Sequence, residues 1–241
     1  MAEHLIKTFG GLLVDSLSVS SPAGEMLISP LSFVLQPGEL VGLIGASGSG
    51  KSVLGNALLG AVPRGYRLGG KVHVSGNGIA LAPQSGAALD PLRTVLQHLK
   101  RRLGSGQSLQ QAEQVISHMG KLYPHELSGG MTKRALLAQA CVQGRDFLVA
   151  DEPCCGLDPS ASIELYQMLR QQADKGIGVL VISHNLRKLC RVADRLLVLD
   201  NGCLVETLTP EQLQRGQGSH YSSALWQALP EHWERAHAEV A

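Results

Sequence analysis

The chain has 241 residues, of which 44% are hydrophobic and 17% are charged, and its formal net charge at pH 7 is +1. Length suits one large α/β domain or a domain with a sizeable insertion, and the composition allows the chain to bury a real core. The balanced charge gives no electrostatic basis for a nucleic-acid partner. No apolar run reaches the roughly 18 residues of a membrane span, and the first residues lack the basic-then-apolar order of a secretory signal. We therefore expect the protein to stay in the cytoplasm, and five cysteines, an odd number without framework spacing, fit reduced thiols there.

The first forty residues predict irregular β structure. Short strands are expected at residues 12–14, 17–19 and 31–35, with turns at 21–24 and 37–39. The apolar run at 40–44 then predicts a buried strand, and residues 53–59 predict the first turns of a helix. A glycine-rich stretch lies between them, which gives the order strand, loop, helix.

This glycine-rich stretch has the parts needed to hold the phosphates of a nucleotide. Its eight residues are Gly45, Ala46, Ser47, Gly48, Ser49, Gly50, Lys51 and Ser52. The glycines let the backbone curl so that N–H groups point inward, and the helix N-terminus adds partial positive charge. Lys51 can reach the β- and γ-phosphates, and the Ser52 hydroxyl can ligate the bridging Mg²⁺. The alternative is a Gly/Ser-rich surface turn, which the flanking strand and helix disfavour.

A helical insertion is predicted after the next two strands. The strands are expected at 71–74 and 79–82, and the second ends just before Gln84. Residues 85–126 then carry apolar residues at helical spacing. The two stripes are Leu92, Val95, Leu96 and Leu99, then Ala112, Val115, Ile116 and Met119. We interpret the basic cluster at 100–102 as a solvated helix C-terminus rather than a binding patch.

A second candidate phosphate-binding turn consists of Ser128, Gly129 and Gly130. It precedes a helical segment predicted at 132–143. Ser128 is a good N-cap, and the glycines expose backbone N–H groups at the start of a helix. Ser-Gly-Gly by itself is also a common turn, so both interpretations remain open.

Two adjacent carboxylates, Asp151 and Glu152, follow the apolar run 147–150, and Pro153 ends the predicted strand. A parallel strand buried on both faces delivers such acids to its C-terminal edge, where α/β sheets bind ligands. Asp151 is placed to hold Mg²⁺ through water, and Glu152 to polarise the water that attacks the γ-phosphate. The alternative is that these acids cap the next helix.

The remaining chain predicts a helix, a strand, a hairpin and a helical tail. The helix follows Asp158, and the apolar strand at 178–183 leads into His184. A lone histidine at a strand end is often structural, but this one could reach the same sheet edge as Glu152. Residues 196–206 predict a β-hairpin with Asn201 and Gly202 at its turn, and residues 221–241 predict a helix.

In combination, these motifs resemble the ATP-binding subunits of ABC transporters over nearly the whole chain. The motifs lie at 45–52, Gln84, 127–131, 147–153, 156–158 and His184. The resemblance implies a single α/β domain at 1–241, with a P-loop NTPase core at 1–84 and 127–205 built on a mostly parallel sheet. It also implies an N-terminal antiparallel β subdomain, a short helical subdomain at 85–126 and a C-terminal helical tail at 206–241.

The resemblance also implies roles for individual residues. Gln84 would sense Mg²⁺ and the γ-phosphate while touching a membrane partner, and His184 would contact the γ-phosphate and help orient the attacking water. Asp158 would lie across a dimer interface. The turn of Ser128, Gly129 and Gly130 would bind the γ-phosphate of ATP held by the opposite subunit. ATP and Mg²⁺ would then close a dimer of two such subunits, and hydrolysis would release it.

A finer likeness is to the nickel, dipeptide and oligopeptide importer subfamily. Residues 84–91 resemble its segment after the glutamine, and residues 121–131 look closest to nickel-import ATP-binding subunits. This implies a second ATPase subunit (a paralogue or another copy of this chain), two membrane-spanning permease subunits and a solute-binding protein reached through the permease. The chain would sit at the cytoplasmic face of the plasma membrane, without nucleic acid. The cargo would be nickel, a metal–metallophore complex or a peptide.

Four features depart from the family pattern. Ser20 stands where an aromatic residue usually stacks on adenine, Lys133 stands where glutamine is common, and Cys154 with Cys155 replaces a pair of threonines. The helical insertion is shorter than usual. We interpret the two cysteines as small packed residues rather than a metal site. A soluble ABC-type ATPase of nucleic-acid repair or translation, and a subunit that binds ATP without hydrolysing it, are the alternatives.

Overall fold

The computed structural model of the chain describes residues 10–104, 109 and 116–229. Its strands are β1 (Leu12–Ser20), β2 (Met26–Leu35), β3 (Leu40–Ile44), β4 (Arg67–Val74), β5 (Ile79–Ala82), β6 (Phe147–Asp151), β7 (Gly178–Ile182), β8 (Arg195–Asp200) and β9 (Cys203–Leu208). Its helices are α1 (Lys51–Leu58), α2 (Val95–Arg102), α3 (Gly129–Cys141), α4 (Pro159–Asp174), α5 (Leu186–Leu189), α6 (Pro210–Gln214) and α7 (His220–Gln227). Short 3₁₀ turns lie at Gly86–Ala88, Ser117–Lys121 and Pro124–Glu126. In these described ranges, no helix combines the length and the apolar character that crossing a membrane requires.

A six-stranded sheet with the order β5-β6-β7-β3-β8-β9 forms the centre of the fold. The first five of these strands pair in parallel, and β9 returns antiparallel beside β8. Every residue of β3 and β7 is buried, as expected of parallel strands covered on both faces. Because parallel strands end at one edge, the residues that follow β3, β5, β6 and β7 meet there. The predicted α/β class with a mostly parallel sheet is confirmed.

A second, three-stranded sheet has the order β2-β1-β4 and is antiparallel, which confirms the predicted N-terminal β subdomain. Its apolar side chains and those of α1 pack on one face of the large sheet, where Leu12 and Leu54 share a core with Val41 and Leu180. Helices α4, α5 and α6 cover the other face. The edge where the parallel strands end therefore lies between two apolar layers that hold it rigid.

All three strands of the antiparallel sheet differ from the prediction, and β4 begins at Arg67, four residues before the predicted start at 71. β1 runs unbroken over residues 12–20, whereas two short strands were predicted. Ser16 has a φ of 51° and the pairing register shifts between Val14 and Leu17, so a local irregularity accommodates the polar residues without ending the strand. β2 begins at Met26, five residues before the prediction, and includes Pro30. A proline is tolerated there because β2 is an edge strand.

In the helical insertion, α2 begins at Val95 and excludes Leu92, which is 84% exposed. The predicted stripe is therefore wrong at its first position. Val95 and Leu99 instead form a separate apolar cluster with Ile116 and Met119, packed against α3. Two further positions of the predicted second stripe, 112 and 115, lie outside the described residues.

The C-terminal part also begins differently from the prediction. The hairpin turns at Asn201 and Gly202 as predicted, but β9 continues to Leu208, so residues 206–208 are strand and not helical tail. Helices α6 and α7 follow. The end of the predicted tail, residues 230–241, lies outside the described part of the chain.

Candidate active site

The glycine-rich loop between β3 and α1 is packed too tightly for larger residues at two positions. Gly45 has a φ of 156°, and a Cβ there would lie 2.1 Å from the carbonyl oxygen of Leu199. Gly50 has a φ of 99°, and its Cβ would lie 2.7 Å from Ile28 Cδ1. Gly50 is also the N-cap of α1, so the loop delivers the helix N-terminus to the sheet edge. The backbone is therefore fixed in a curve that leaves its concave side open.

Lys51 lies on this curve with only 8% of its surface exposed. Its Nζ donates to the carbonyl oxygens of Gly45 (2.9 Å) and Ala46 (2.7 Å). Burial lowers the pKa of Lys51, and the charges of Glu152 and Asp151 oppose that effect. A buried ammonium at a helix N-terminus is the donor set that a phosphate requires.

Ser52 and Asp151 form a pair of oxygen ligands beside this lysine. Ser52 Oγ donates to Asp151 Oδ1 at 3.1 Å. Burial raises the pKa of Asp151, while the Ser52 hydrogen bond acts in the opposite direction. A hydroxyl and a carboxylate are hard oxygen donors that suit Mg²⁺. Together with the curved loop, the residues present therefore fit a magnesium-bound triphosphate.

Glu152 is held at both its backbone and its carboxylate. Its φ is 44°, which is uncommon for a residue other than glycine, and its N–H donates to the Ile182 carbonyl at 2.9 Å. Its Oε1 accepts from the backbone N–H of His184 at 3.1 Å, and its Oε2 lies 2.8 Å from His184 Nδ1. The Glu152 side chain is 12% exposed and that of His184 is 65% exposed. The carboxylate thus has a fixed orientation at the rim of the sheet edge.

A cavity of about 420 Å³ brings most of the predicted site together. It is lined by Ser47, Gly48, Gly50, Lys51, Ser52, Val53, Gln84, Glu152, Cys155 and His184. Asp151 joins this group through its contact with Ser52. Gly45, Ala46 and Ser49 belong to the same glycine-rich loop but do not line the cavity. Four further predicted residues, Ser128, Gly129, Gly130 and Asp158, do not line it either.

Those four residues form a separate exposed surface. Ser128 is the N-cap of α3, because its Oγ accepts from the Met131 N–H at 3.3 Å. Asp158 caps α4 through Oδ1, which accepts from the N–H groups of Ser160 (3.0 Å) and Ala161 (2.9 Å). Hydrogen bonds from the Ser160 hydroxyl and then from the Ala161 N–H lower the pKa of Asp158. The acid that caps this helix is therefore Asp158, and the alternative that Asp151 and Glu152 cap it is wrong.

The two turns of this surface are neighbours. A Cβ on Gly129 or Gly130 would lie about 4 Å from the side chain of Leu157, and the one on Gly130 also 4.0 Å from that of Ala161. The start of α3 and the start of α4 therefore lie side by side, and neither lines the cavity of the same chain.

Sequence reasoning missed two contacts at the site. Lys133 Nζ donates to the carbonyl oxygens of Gln84 (2.5 Å) and Glu152 (3.1 Å). The Tyr221 hydroxyl, on α7, accepts from the N–H of Ala46 at 3.0 Å. Lys133 stood out as a departure from the family pattern, whereas nothing in the sequence around Tyr221 connects it with residues so distant in the chain.

The paired cysteines have different surroundings. Cys154 is buried, its thiol donates to the Ser162 carbonyl at 3.7 Å, and burial raises its pKa to about 12. Cys155 is exposed and lines the cavity. The interpretation as a small packed residue therefore fits Cys154 but not Cys155. Within the described ranges, no cluster of three or more histidine, cysteine or acidic side chains could hold a metal ion.

Comparison with known proteins identifies the family of the chain. The ABC transporter family matches residues 28–155, which is more than half of the chain. The peptidoglycan transport ATP-binding protein YejF of Agrobacterium fabrum is 30% identical over an alignment that covers 91% of this chain and 47% of the relative. The glutathione import ATP-binding protein GsiA of Escherichia coli is 29% identical, with 91% of this chain and 42% of the relative covered. The chain thus spans less than half the length of these two relatives.

The fold comparison leads to the same family. A solved structure described as the ATP binding subunit of an ABC transporter aligns with a TM-score of 0.74 and 25% identity, covering 90% of this chain and 98% of the other. The sequence match also includes the loop that carries Lys51 and the strand that carries Asp151. The chain belongs to the ABC transporter family, as an ATP-binding domain.

Proposed function

We propose that this chain binds and hydrolyses ATP as one of two ATPase subunits that drive an ABC importer. The observation that carries the proposal is the meeting of a phosphate-binding loop, a fixed carboxylate and a histidine in one cavity. Membership of the ABC transporter family supports ATP as the nucleotide.

Each residue of the cavity has a role in this proposal. The backbone of the glycine-rich loop holds the phosphates, and Lys51 neutralises their charge. Ser52 and Asp151, with Gln84 nearby, hold Mg²⁺, which when bound supplies further charge neutralisation at the phosphates. Glu152 polarises the attacking water as a general base, and its orientation is already set by two bonds from His184.

The second ATPase subunit completes the site. The turn of Ser128, Gly129 and Gly130 presents helix N–H groups on a surface outside the cavity, so we propose that it binds the γ-phosphate of ATP held by the opposing subunit. Asp158 lies beside this turn and would face the same interface. The opposing subunit is a paralogue or a second copy of this chain.

The remaining partners follow from the importer resemblance. We propose that the dimer docks beneath two membrane-spanning permease subunits at the cytoplasmic face of the plasma membrane, and that a solute-binding protein delivers cargo to the permease. We propose a peptide or a peptide-bearing compound as the cargo, and the names of the two relatives support this class. Nickel or a metal–metallophore complex is the second candidate, favoured by the resemblance of residues 121–131 to nickel importers.

The hydrolytic assignment is tested with Glu152→Gln in the complex that co-purifies with the full chain. The amide keeps the shape of the side chain but cannot accept a proton, so ATP turnover falls by roughly 10²–10⁴-fold while MgATP still binds and closes the dimer. Glu211→Gln, the same change in the exposed first turn of α6, is the matched control. Turnover within threefold of the unaltered chain would reject Glu152 as the base. A complex with nucleic acid and without membrane proteins would instead favour a soluble ABC-type ATPase.

The cargo is tested by uptake in cells that depend on this chain. Lys51→Ala removes the phosphate ligand, so ATP-dependent uptake of labelled peptide is lost and uptake of radioactive nickel is unchanged. Loss of nickel uptake with unchanged peptide uptake would favour nickel as the cargo. If neither uptake is lost, the proposal that this chain drives import is rejected.

A further inference from the structure

The side chain of Lys133 joins two segments of the cavity that are far apart in sequence. It extends from α3, and its Nζ donates to the carbonyl oxygen of Gln84 at 2.5 Å and to that of Glu152 at 3.1 Å. Both oxygens are close enough to accept a hydrogen bond, and an ammonium donor makes such bonds stronger than neutral donors do. One side chain therefore holds the backbone of Gln84, the first residue of the segment 84–91 that we call the glutamine loop, and the backbone of the proposed base.

The Glu152 backbone needs such support. Its φ of 44° places it in the left-handed region, where a residue with a Cβ persists only if its surroundings hold it. The Ile182 carbonyl holds its N–H, and the Cys155 N–H and Lys133 Nζ both donate to its carbonyl oxygen. Two of these three restraints are hydrogen bonds between backbone groups. The third comes from the side chain of Lys133, so a substitution can remove it.

The glutamine loop is packed on the same helix by an independent contact. A Cβ on Gly86 would lie 2.7 Å from the Thr132 methyl group, so the segment just after Gln84 lies directly against α3. Lys133 also lies one helical turn after Gly129, on the same side of α3 as the start of the exposed Ser-Gly-Gly turn. Helix α3 therefore contacts the glutamine loop with one turn and begins with the residues proposed to meet the opposing nucleotide.

We propose that Lys133 is a positioning residue that fixes Gln84 and Glu152 to helix α3, so that docking of the Ser-Gly-Gly turn on the opposing nucleotide and alignment of the hydrolytic carboxylate are mechanically coupled. This inference rests on the proposed function, because it takes Glu152 as the base and the Ser-Gly-Gly turn as the trans contact. Lys133 touches neither water nor phosphate in this scheme; it acts through the two carbonyl groups that it holds.

The test compares Lys133→Met with Lys133→Gln in the assembled transporter complex. Methionine keeps the aliphatic chain but donates no hydrogen bond, so kcat for ATP falls by about 10- to 100-fold, as expected for a misplaced catalytic group. The apparent KM for ATP and the affinity for a non-hydrolysable MgATP analogue change by less than about twofold, because the phosphate-binding loop is untouched. The shorter glutamine reaches one carbonyl but not both, so its kcat lies between those of the other two proteins. Lys71→Met, on an exposed lysine of β4, is the matched control.

The outcomes separate this inference from the proposed function. A Lys133→Met complex with kcat within twofold of the unaltered complex overturns the inference, and so does an equal loss of kcat and nucleotide affinity, which would indicate general damage. If Lys133→Met fails to fold, Lys133→Gln decides: unchanged kcat overturns the inference, and reduced kcat with unchanged nucleotide affinity supports it. Glu152→Gln is measured in parallel. If that variant still hydrolyses ATP, the proposed function fails first, whereas loss of turnover there with normal Lys133 variants rejects only the role of Lys133.

Discussion

His184 makes two bonds to one carboxylate, and the two nitrogens of its ring allow its role to be dissected. Nδ1 lies 2.8 Å from Glu152 Oε2. An ionised carboxylate can only accept hydrogen bonds, so Nδ1 carries the proton and Nε2 is left for a partner in the cavity. Orientation of Glu152 therefore depends on Nδ1, while the contact with the γ-phosphate implied by family resemblance would depend on Nε2.

Two amide substitutions separate these roles. The Nδ2 of asparagine takes the place of Nδ1, and the Nε2 of glutamine takes the place of the ring Nε2. If orientation of Glu152 is the main role, His184→Asn keeps kcat within about threefold, because it retains the bond to Oε2. His184→Gln loses that bond and leaves only the backbone N–H of residue 184 on the carboxylate.

The expected decrease in rate for His184→Gln depends on how exposed the hydrogen bond between His184 and Glu152 is. Hydrogen bonds to charged groups contribute about 1.5–3 kcal/mol. His184 is 65% exposed, so water competes for this bond and the lower half of that range applies, even though Glu152 is only 12% exposed. A loss of about 1.5–2 kcal/mol from the transition state corresponds to a roughly 10- to 30-fold decrease in kcat for His184→Gln.

Single-turnover hydrolysis measures this effect directly, because product release does not contribute to the rate. His73→Asn, in the antiparallel sheet and away from the cavity lining, controls for the change of side-chain type. The expected order of rates is unaltered chain, then His184→Asn, then His184→Gln. The reverse order of the two variants would refute the orientation argument and assign the main role to an Nε2 contact.

Two further predictions concern folding and charge at the site. Asp151→Asn should raise the free energy of unfolding at pH 7 without nucleotide while weakening MgATP binding, because burial raises the pKa of Asp151 and its ionised form therefore costs stability. Because the folded-state pKa of Asp151 lies above its ordinary value of 3.8, its carboxyl is protonated in both the folded and the unfolded state well below pH 3.8, and the cost disappears. The two proteins should therefore be equally stable at such low pH. Equal stability at pH 7, measured by urea titration, would contradict the prediction. Gly45→Ala should cost about 1–3 kcal/mol of stability beyond the strain of a positive φ and abolish ATP binding, because its Cβ would meet the Leu199 carbonyl oxygen at 2.1 Å. Gly48→Ala, at a φ of 81° with no atom within 4 Å of its Cβ, is the control and should cost only about 1–2 kcal/mol by calorimetry; equal losses in the two would refute the packing argument.

The centre of the six-stranded sheet was predictable because inner strands such as β3 and β7 are buried on both faces. The apolar runs at 40–44, 79–82 and 178–183 coincide with β3, β5 and β7 to within one residue. A continuous apolar run bounded by turn residues leaves few alternatives to a parallel strand. The order of motifs along the chain then placed Gln84, Glu152 and His184 at one edge, because parallel strands end on the same side.

The antiparallel sheet and the helical insertion were harder to predict because polar and apolar residues in their sequences do not follow the boundaries of the strands and helices. The polar pair before Leu17 resembles the end of a strand, and the pairing of β1 with two neighbours on both sides of Ser16 lets the strand continue past this irregularity. Leu92 fits the spacing of a helical stripe, but Thr94 and Gln97 form a capping box that starts α2 after it. That Thr-x-x-Gln pattern was present in the sequence and would have given the correct start.

The contacts of Lys133 depend on tertiary structure in a way that no local pattern encodes. The two carbonyl oxygens that it holds belong to residues 49 positions before it and 19 positions after it. A lysine in place of a common glutamine indicates a difference in chemistry, but only the packing of α3 against the sheet edge defines the partners. For the same reason, the contact between Tyr221 and Ala46, 175 positions apart, had no sequence signal.

The charges of Lys51 and Asp151 indicate which ligand the site should prefer. Burial lowers the pKa of Lys51 and raises that of Asp151, so the protein environment alone disfavours the charged form of both groups. A phosphate beside the lysine and a cation beside the carboxylate would each favour the charged form, so a magnesium triphosphate supplies both compensations at once. A free phosphate or a free Mg²⁺ supplies only one of them. We therefore expect the site to prefer the metal-bound nucleotide over either component, because β6 and β3 flank β7 and their ends lie at the same sheet edge.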